Sequence, residues 1–419
     1  MKGLHIAVED AMVDGLYQGF KVNTLTFSHL CFADDALFIG EWSHANITST
    51  VSILQCFFRV SGLKINIHKS NLFGVGVPFD KVRHLASITG CNAMQPPFSY
   101  LGLPIDCNTA KTKSWDPIFH KLSKRLSKWK SSLLSIRGRS TLISSDLGSI
   151  GTYYLSLFPM PITVNNKLES SRSNFFWGSD VNSKRISWIS WKLSLASKAK
   201  GGLGIGSLYS LNHALIQKWC WRFFNNPRAL WVQVITAIHG HSEDTSSFFN
   251  HVRDQGVLGR IVGSINIMHE KGIVPHSSLK RRVNNGISTK FWTQTWIGNS
   301  SLQHQFPRLF RLATNKDCTI RDCWNNGWVL EWSRPINSGT LATHILSLQS
   351  LLDTCSLNDS DDTWTWSIGN PSFTVKATRE HIDHFVLPDT NYATRWNRFL
   401  PKKINIFIWR VLRDHLPTR

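Results

Sequence analysis

Asp34 and Asp35 are neighbouring carboxylates set between two short apolar runs, in residues 25–40 (LTFSHLCFADDALFIG). Runs of this length around a tight polar break predict a β-hairpin with the two acids at its tip. Phosphoryl-transfer chemistry requires such carboxylates, because they hold divalent cations that stabilise the attacking and leaving oxygens. Asp-Asp is also an ordinary turn dipeptide. The apolar strands on both sides separate the two readings, since a solvated turn needs no such support.

The second constellation is cationic. Residues 111–140 contain nine Lys or Arg and one acidic residue, Asp116. At helical spacing Lys121, Lys124, Arg125 and Lys128 fall within roughly 100° of arc. They lie beside an apolar stripe of Leu122, Leu126, Trp129 and Leu133, not across it. Such a helix buries its stripe and offers cations to a phosphate backbone. A plain surface helix would mix both signs. Residues 201–206 (GGLGIG) do not follow the dinucleotide spacing and lie in no βαβ unit, so they read as a flexible turn. Tryptophans 177, 188, 191, 219, 221 and 231 read as core packing before base stacking.

The elements that must position these residues can be read from pattern. The opening dozen residues read as a helix. Ile47, Val51, Leu54 and Phe58 recur at helical spacing over residues 46–60, and Gly62 stands where that helix should stop. Leu63, Ile65 and Ile67 then alternate with polar residues, as in a half-buried strand. The order strand, strand, helix, strand makes this part α+β. Further helices are expected over residues 140–158, ending at Pro159 and Pro161, over 208–224, and over 404–413. A short β-like stretch begins at residue 363. The expected domains are 1–110, 111–224, a mixed loop-rich 225–360, and 361–419.

Composition sets the class. The 419 residues are 42% hydrophobic and 18% charged, enough to build a core. An excess of 47 basic over 27 acidic residues gives a formal charge of +20, which points to polyanionic partners, nucleic acid first. No run of 18 apolar residues exists, so no membrane partner is expected. Glu9, Asp10 and Asp14 stand where a signal peptide would be apolar, which reads as an intracellular protein, nuclear or cytoplasmic. The eight cysteines form no C-x-x-C pair and read as free thiols. Cys318 and Cys323 with His381 and His384 lack the usual zinc spacing, so zinc is not expected.

Phe32-Ala33-Asp34-Asp35 resembles the F/Y-A-D-D motif of reverse transcriptases, and the segments after it resemble plant non-LTR (LINE-type) retrotransposon enzymes in order and spacing. These are residues 61–70 (SGLKINIHKS), 100–104 (YLGLP), 138–161 (GRSTLISSDLGSIGTYYLSLFPMP), 175–178 (FFWG), 201–205 (GGLGI), 212–223 (NHALIQKWCWRF) and 395–418 (RWNRFLPKKINIFIWRVLRDHLPT). The resemblance implies the rear of a polymerase palm, then a helical thumb and connection, then the start of a zinc-binding domain. It implies an RNA template, a DNA primer and Mg²⁺. Asp34 would be a direct metal ligand and Asp35 would support it. Lys69 would lie near the incoming nucleotide's phosphates, although a solvated Lys at a strand end is an equal reading. Tyr100, Leu101 and Gly102 would form a turn against the primer, or an ordinary hairpin turn. The family's third catalytic aspartate and its fingers are expected before Met1, and its zinc-binding Cys and His after Arg419. A chain of this kind would be inactive alone. The alternative is a non-catalytic nucleic-acid-binding remnant of such an element.

Overall fold

A computed structural model describes residues 2–128, 133–147, 151–179, 186–240, 256–298, 300–335 and 339–415. The chain forms two compact units, Met1–Asn108 with Arg228–His241, and Thr109–Pro227 with Ser242–Arg419. The architecture is mixed α+β. Among the described residues every sheet has two strands, and helices make up most of the rest. No described helix is long and apolar enough to cross a membrane.

The first unit opens with α1 (Lys2–Val13), as its pattern predicts. Leu4, Val8 and Ala11 share one face and pack with Tyr17 and with Ile53 of α2 (His44–Ser61). Burying side chains of this size contributes about 1.5–3 kcal/mol each. The Ser43 side chain accepts the Asn46 N–H at the start of α2, and Gly62 ends the helix at φ +71° with its N–H on the Phe58 carbonyl. A left-handed residue at that position is what glycine permits without Cβ strain. Asn46 is buried. Its Nδ2 donates to the carbonyls of Gln18 (2.7 Å) and Glu41 (2.9 Å), and its Oδ1 accepts from the Gln18 N–H (2.6 Å). One side chain thus fixes both flanks of the hairpin region to α2.

Two hairpins lie between these helices: β1 (Phe20–Val22) with β2 (Leu25–Phe27), and β3 (His29–Phe32) with β4 (Asp35–Phe38). The strand expected over residues 63–68 is not formed. Leu63 is exposed, and Ile67 enters a short 3₁₀ turn, Ile67–Lys69, capped by the Asn66 side chain. Alternation alone could not supply the ladder partner a strand needs. The pairing that does occur is the two-residue parallel contact of β5 (Asn71–Leu72) with β6 (Asn92–Ala93), on either side of α3 (Phe79–Thr89). The unit then forms a third hairpin, β7 (Phe98–Tyr100) with β8 (Leu103–Ile105).

The second unit is built on the Leu208–Asn225 helix, most of whose residues are buried. Helices Ile162–Trp177, Val257–Glu270 and Val375–Val386 pack against it. A second core gathers Phe291, Trp292, Leu302, Leu309, Leu348 and Leu352. The β-like stretch at residue 363 is the strand Thr363–Trp366, which pairs antiparallel with Leu279–Arg282. The single helix expected over residues 140–158 is broken instead. Ile136–Leu142 runs into a π-helical turn, Ile143–Leu147, and a separate short helix, Thr152–Leu155, starts after Gly151 at φ +80°.

Residues 201–206 are not a flexible turn. The N–H groups of Gly202, Leu203, Gly204 and Gly206 all donate to carbonyls of residues 194–197. From the other side Trp409 Nε1 donates to the Gly201 carbonyl, Thr394 Oγ1 to Gly202 and Arg379 to Ile205. A Cβ on Gly202 would sit 2.0 Å from the Ala196 carbonyl oxygen. The glycines are there because two layers of backbone meet.

Candidate functional site

The F-A-D-D segment is the tip of the β3–β4 hairpin. Phe32 pairs with Asp35, so Ala33 and Asp34 form a two-residue turn. Such turns need a positive φ, and Ala33 supplies it at +49°. For a residue with a Cβ this costs on the order of 1–2 kcal/mol. Both carboxylates are exposed, and among the described residues neither has a hydrogen-bond or ion-pair partner.

Strand alternation sorts the hairpin's faces. His29, Cys31 and Phe38 share one face, and Phe38 packs into the α1–α2 core. Leu30, Phe32, Asp35 and Leu37 share the other. There Leu30 is 40% exposed, Phe32 63% and Leu37 36%, so the apolar support predicted around the acids is built on one face alone.

At the foot of β3, side chains from α1 and the hairpin line an open cleft of about 420 Å³. In it His5 Nε2 lies 3.3 Å from a Glu9 oxygen, His5 Nδ1 lies 2.8 Å from His29 Nε2, and His29 Nδ1 lies 2.9 Å from Ser28 Oγ. Burial, then the neighbouring His5, hold the His29 imidazole below its usual pKa, opposed by Glu9. Sequence reading missed this chain of groups. The i,i+4 spacing of His5 and Glu9 could have flagged half of it, but His29 joins only through tertiary pairing.

The remaining predicted site residues are placed as follows. Lys69 is exposed at the end of the 3₁₀ turn, not on a strand, and among the described residues no ion pair joins it to the aspartates. Tyr100 is half-buried at the end of β7. Leu101 and Gly102 form the turn to β8 at φ +49° and +76°. Gly102 is required by that φ, since a Cβ there would meet open space.

Lys121, Lys124 and Arg125 lie in the other unit, on α4 (Asp116–Lys128), and all three are exposed. Ile118 and Leu122 are buried on the stripe beside them, next to Trp115, whose ring meets Tyr154 edge-on at 5.0 Å. Lys128 ends the helix; its side chain, like Trp129, lies outside the described residues. Leu133 is 78% exposed and so does not extend the buried stripe.

Among the described residues no three His, Cys, Asp or Glu converge as metal ligands. Cys318 and Cys323 meet, but His381 Nε2 is engaged with the Ile273 carbonyl at 2.7 Å. The tryptophans are used internally: Trp177 is buried, Trp191 Nε1 donates to Glu169 and Trp219 Nε1 to the Ser156 carbonyl.

No family model matches the chain. It is 24% identical over 327 residues to a putative ribonuclease H protein from Arabidopsis thaliana, covering 74% of this chain and 50% of the relative. It is also 28% identical over 156 residues to an uncharacterized mitochondrial protein from Arabidopsis thaliana, covering 36% of this chain and 93% of that protein. This chain therefore spans half the length of the first relative. Both similarities are weak and partial, consistent only with a broad link to reverse transcriptase and ribonuclease H proteins.

Proposed function

We propose that the chain is part of an RNA-directed DNA polymerase of the non-LTR retrotransposon type. Residues 1–110 would be the rear of the palm, 111–224 the thumb and helical connection, and 361–419 the start of the zinc-binding domain. The observation that carries the reading is the display of Asp34 and Asp35 on a two-residue hairpin tip, with both carboxylates exposed. The partial homology to a ribonuclease H protein supports the same broad class. In this reading Lys69 attends the phosphates of the incoming nucleotide, Tyr100 and Gly102 contact the primer, and Lys121, Lys124, Arg125 and Lys128 contact the template–primer backbone.

Mg²⁺ is the metal such a polymerase uses. Two adjacent carboxylates can attract one divalent ion weakly. A two-metal centre holds its ions about 3.5–4 Å apart and requires a further ligand. No such ligand joins Asp34 and Asp35 among the described residues, so these residues do not fit that centre and no phosphoryl-transfer step is assigned to them. The same observation favours a second reading, a nucleic-acid-binding remnant that no longer polymerises.

Two measurements test the proposal. Binding to an RNA–DNA hybrid should weaken steeply with salt, each phosphate contact adding roughly 0.7–0.9 to the log–log slope. Changing Lys121, Lys124, Arg125 and Lys128 to Gln should flatten it, and an unchanged slope refutes the nucleic-acid face. Primer extension on poly-rA with Mg²⁺ or Mn²⁺ should give no product. Extension that vanishes in Asp34→Asn would show a complete catalytic site.

A further inference from the structure

Cys318 and Cys323 are both buried, 6% and 5% exposed, on the wall of the core around Phe291 and Trp292. The Cys323 thiol donates to the Cys318 sulfur at 3.4 Å. The segment between them is held from outside and within. The Cys318 carbonyl accepts the Phe291 N–H (3.0 Å), and the N–H groups of Ile320 and Arg321 donate to Thr289 (2.9 Å) and Gly286 (3.0 Å). Inside it the Thr319 N–H donates to Asp322 Oδ2 and the Asp322 N–H to Thr319 Oγ1. A disulfide needs its sulfurs about 2.05 Å apart. The two sulfurs must therefore close by about 1.4 Å from their 3.4 Å separation, a movement on the scale of side-chain rotation.

We propose that Cys318 and Cys323 are a peroxide-reactive dithiol that oxidises to an intramolecular disulfide, with Cys318 as the attacking sulfur and Cys323 as the resolving one. The roles follow from the surroundings. The hydrogen bond from Cys323 favours the Cys318 thiolate and holds its pKa below the usual thiol value, opposed by burial and Asp322 and helped by a backbone hydrogen bond and Lys290; in its protonated form Cys318 Sγ donates to the Asn315 carbonyl at 3.3 Å. Cys323, the donor of that bond, is pushed up. The thiolate is the reactive form.

In the first step the Cys318 thiolate attacks one oxygen of hydrogen peroxide. The O–O bond breaks, Cys318 becomes a sulfenic acid, and the departing hydroxide takes a proton to leave as water. In the second, the Cys323 sulfur attacks the Cys318 sulfur. The S–O bond breaks, and the hydroxyl leaves as water with the Cys323 proton. Two thiols and one peroxide give one disulfide and two waters. A small oxidant suits the site, because Cys318 follows the exposed residues 314–317 in the chain and is itself buried.

The test treats the full chain with hydrogen peroxide, alkylates the remaining thiols and maps peptides without reduction. Trypsin cuts after Arg321, so the disulfide should join two peptides, one carrying Cys318 and one Cys323, two hydrogens lighter than their reduced sum. In Cys323→Ser the reaction should stop at a Cys318 sulfenic acid that dimedone labels, and Cys318→Ser should give neither product. Recovery of Cys318 and Cys323 both alkylated, while the exposed Cys31 and Cys56 are oxidised in the same sample, overturns the proposal without recourse to any variant. Dimedone labelling at Cys323 of the natural chain overturns the assigned roles.

Discussion

Replacing Glu169 with Gln should destabilise the second unit by about 3–5 kcal/mol, the usual cost of leaving one member of a buried ion pair unpaired. The Arg172 side chain is 1% exposed and the Glu169 side chain 11%. Arg172 Nη1 donates to both Glu169 oxygens at 2.8 Å, Trp191 Nε1 to Oε2 at 2.8 Å, and the Leu208 N–H to Oε1 at 2.7 Å. The carboxylate therefore also sits at the N-terminus of the Leu208–Asn225 helix, where negative charge is favoured. Gln keeps the volume, removes the charge, and can accept through only one atom where the carboxylate accepts through two. Besides the single Gln oxygen, Arg172 would keep one weak contact, Nη2 to the Gly206 carbonyl at 3.3 Å, and among the described residues its Nε has no hydrogen-bond partner. The assay is urea unfolding followed by circular dichroism, with Glu169→Leu/Arg172→Met as the companion variant. Removing both charges should recover a good part of the loss, because the stranded cation is the larger part of the cost. A single-variant loss under about 1 kcal/mol, the range of exposed pairs, would refute the reasoning.

Gly202→Ala should cost at least about 3 kcal/mol or yield no soluble protein, since the new Cβ meets a backbone oxygen at 2.0 Å. Gly204→Ala, at φ +71° but facing open space, should cost only about 1–2 kcal/mol; equal losses at the two positions would show that the clamp on residues 201–206 is not tight. His213 is buried beside Ser264, and burial, then Lys271, lower its pKa from 6.5 to about 4. Because the unfolded chain binds the proton more readily, its contribution is complete above pH 6.5 and is lost as pH falls toward 4, about 3 kcal/mol in all. His29 and His276 are lowered too, so the check is the difference in urea midpoint between the natural chain and His213→Asn across that window. A pH-independent difference would reject the assignment.

Where an element depends only on near neighbours in sequence, its signal carried, although the strand at 63–68 and the single helix over 140–158 did not form. The helical spacing of Leu4, Val8 and Ala11, the stop at Gly62 and the break at Ala33-Asp34 all depend on residues within a few positions of one another. The Ile162–Trp177 helix was not legible because its inner face mixes Val164, Leu168 and Phe176 with the buried Glu169 and Arg172, which hides the apolar period. The Val375–Val386 helix is masked the same way by buried Thr378 and Asp383. The carboxylate of each set takes a partner remote in sequence: Glu169 the Leu208 N–H, and Asp383 the Ser207 hydroxyl at 2.8 Å.

The motif order that carried the resemblance acquires a physical meaning from these pairs. Asn212 Nδ2 donates to the carbonyls of Leu155 and Phe158, and its Oδ1 accepts from the Met160 N–H, so residues 155–160 are tied to the Leu208–Asn225 helix. The 201–206 segment is clamped by Arg379, Thr394 and Trp409. These segments are bonded to one another, so their joint presence reports a shared packing arrangement. The chemistry proposed for the chain rests on the β3–β4 tip, and there the sequence was legible in one respect and misleading in another. The flanking apolar runs placed the acids at the hairpin tip, where Asp34 lies in the turn and Asp35 begins β4. They also implied apolar support around the acids, yet Leu30, Phe32 and Leu37 face solvent beside Asp35, while Phe38 on the other face packs into the α1–α2 core. Strand pattern reports the face a residue occupies and says nothing of whether a neighbour covers it.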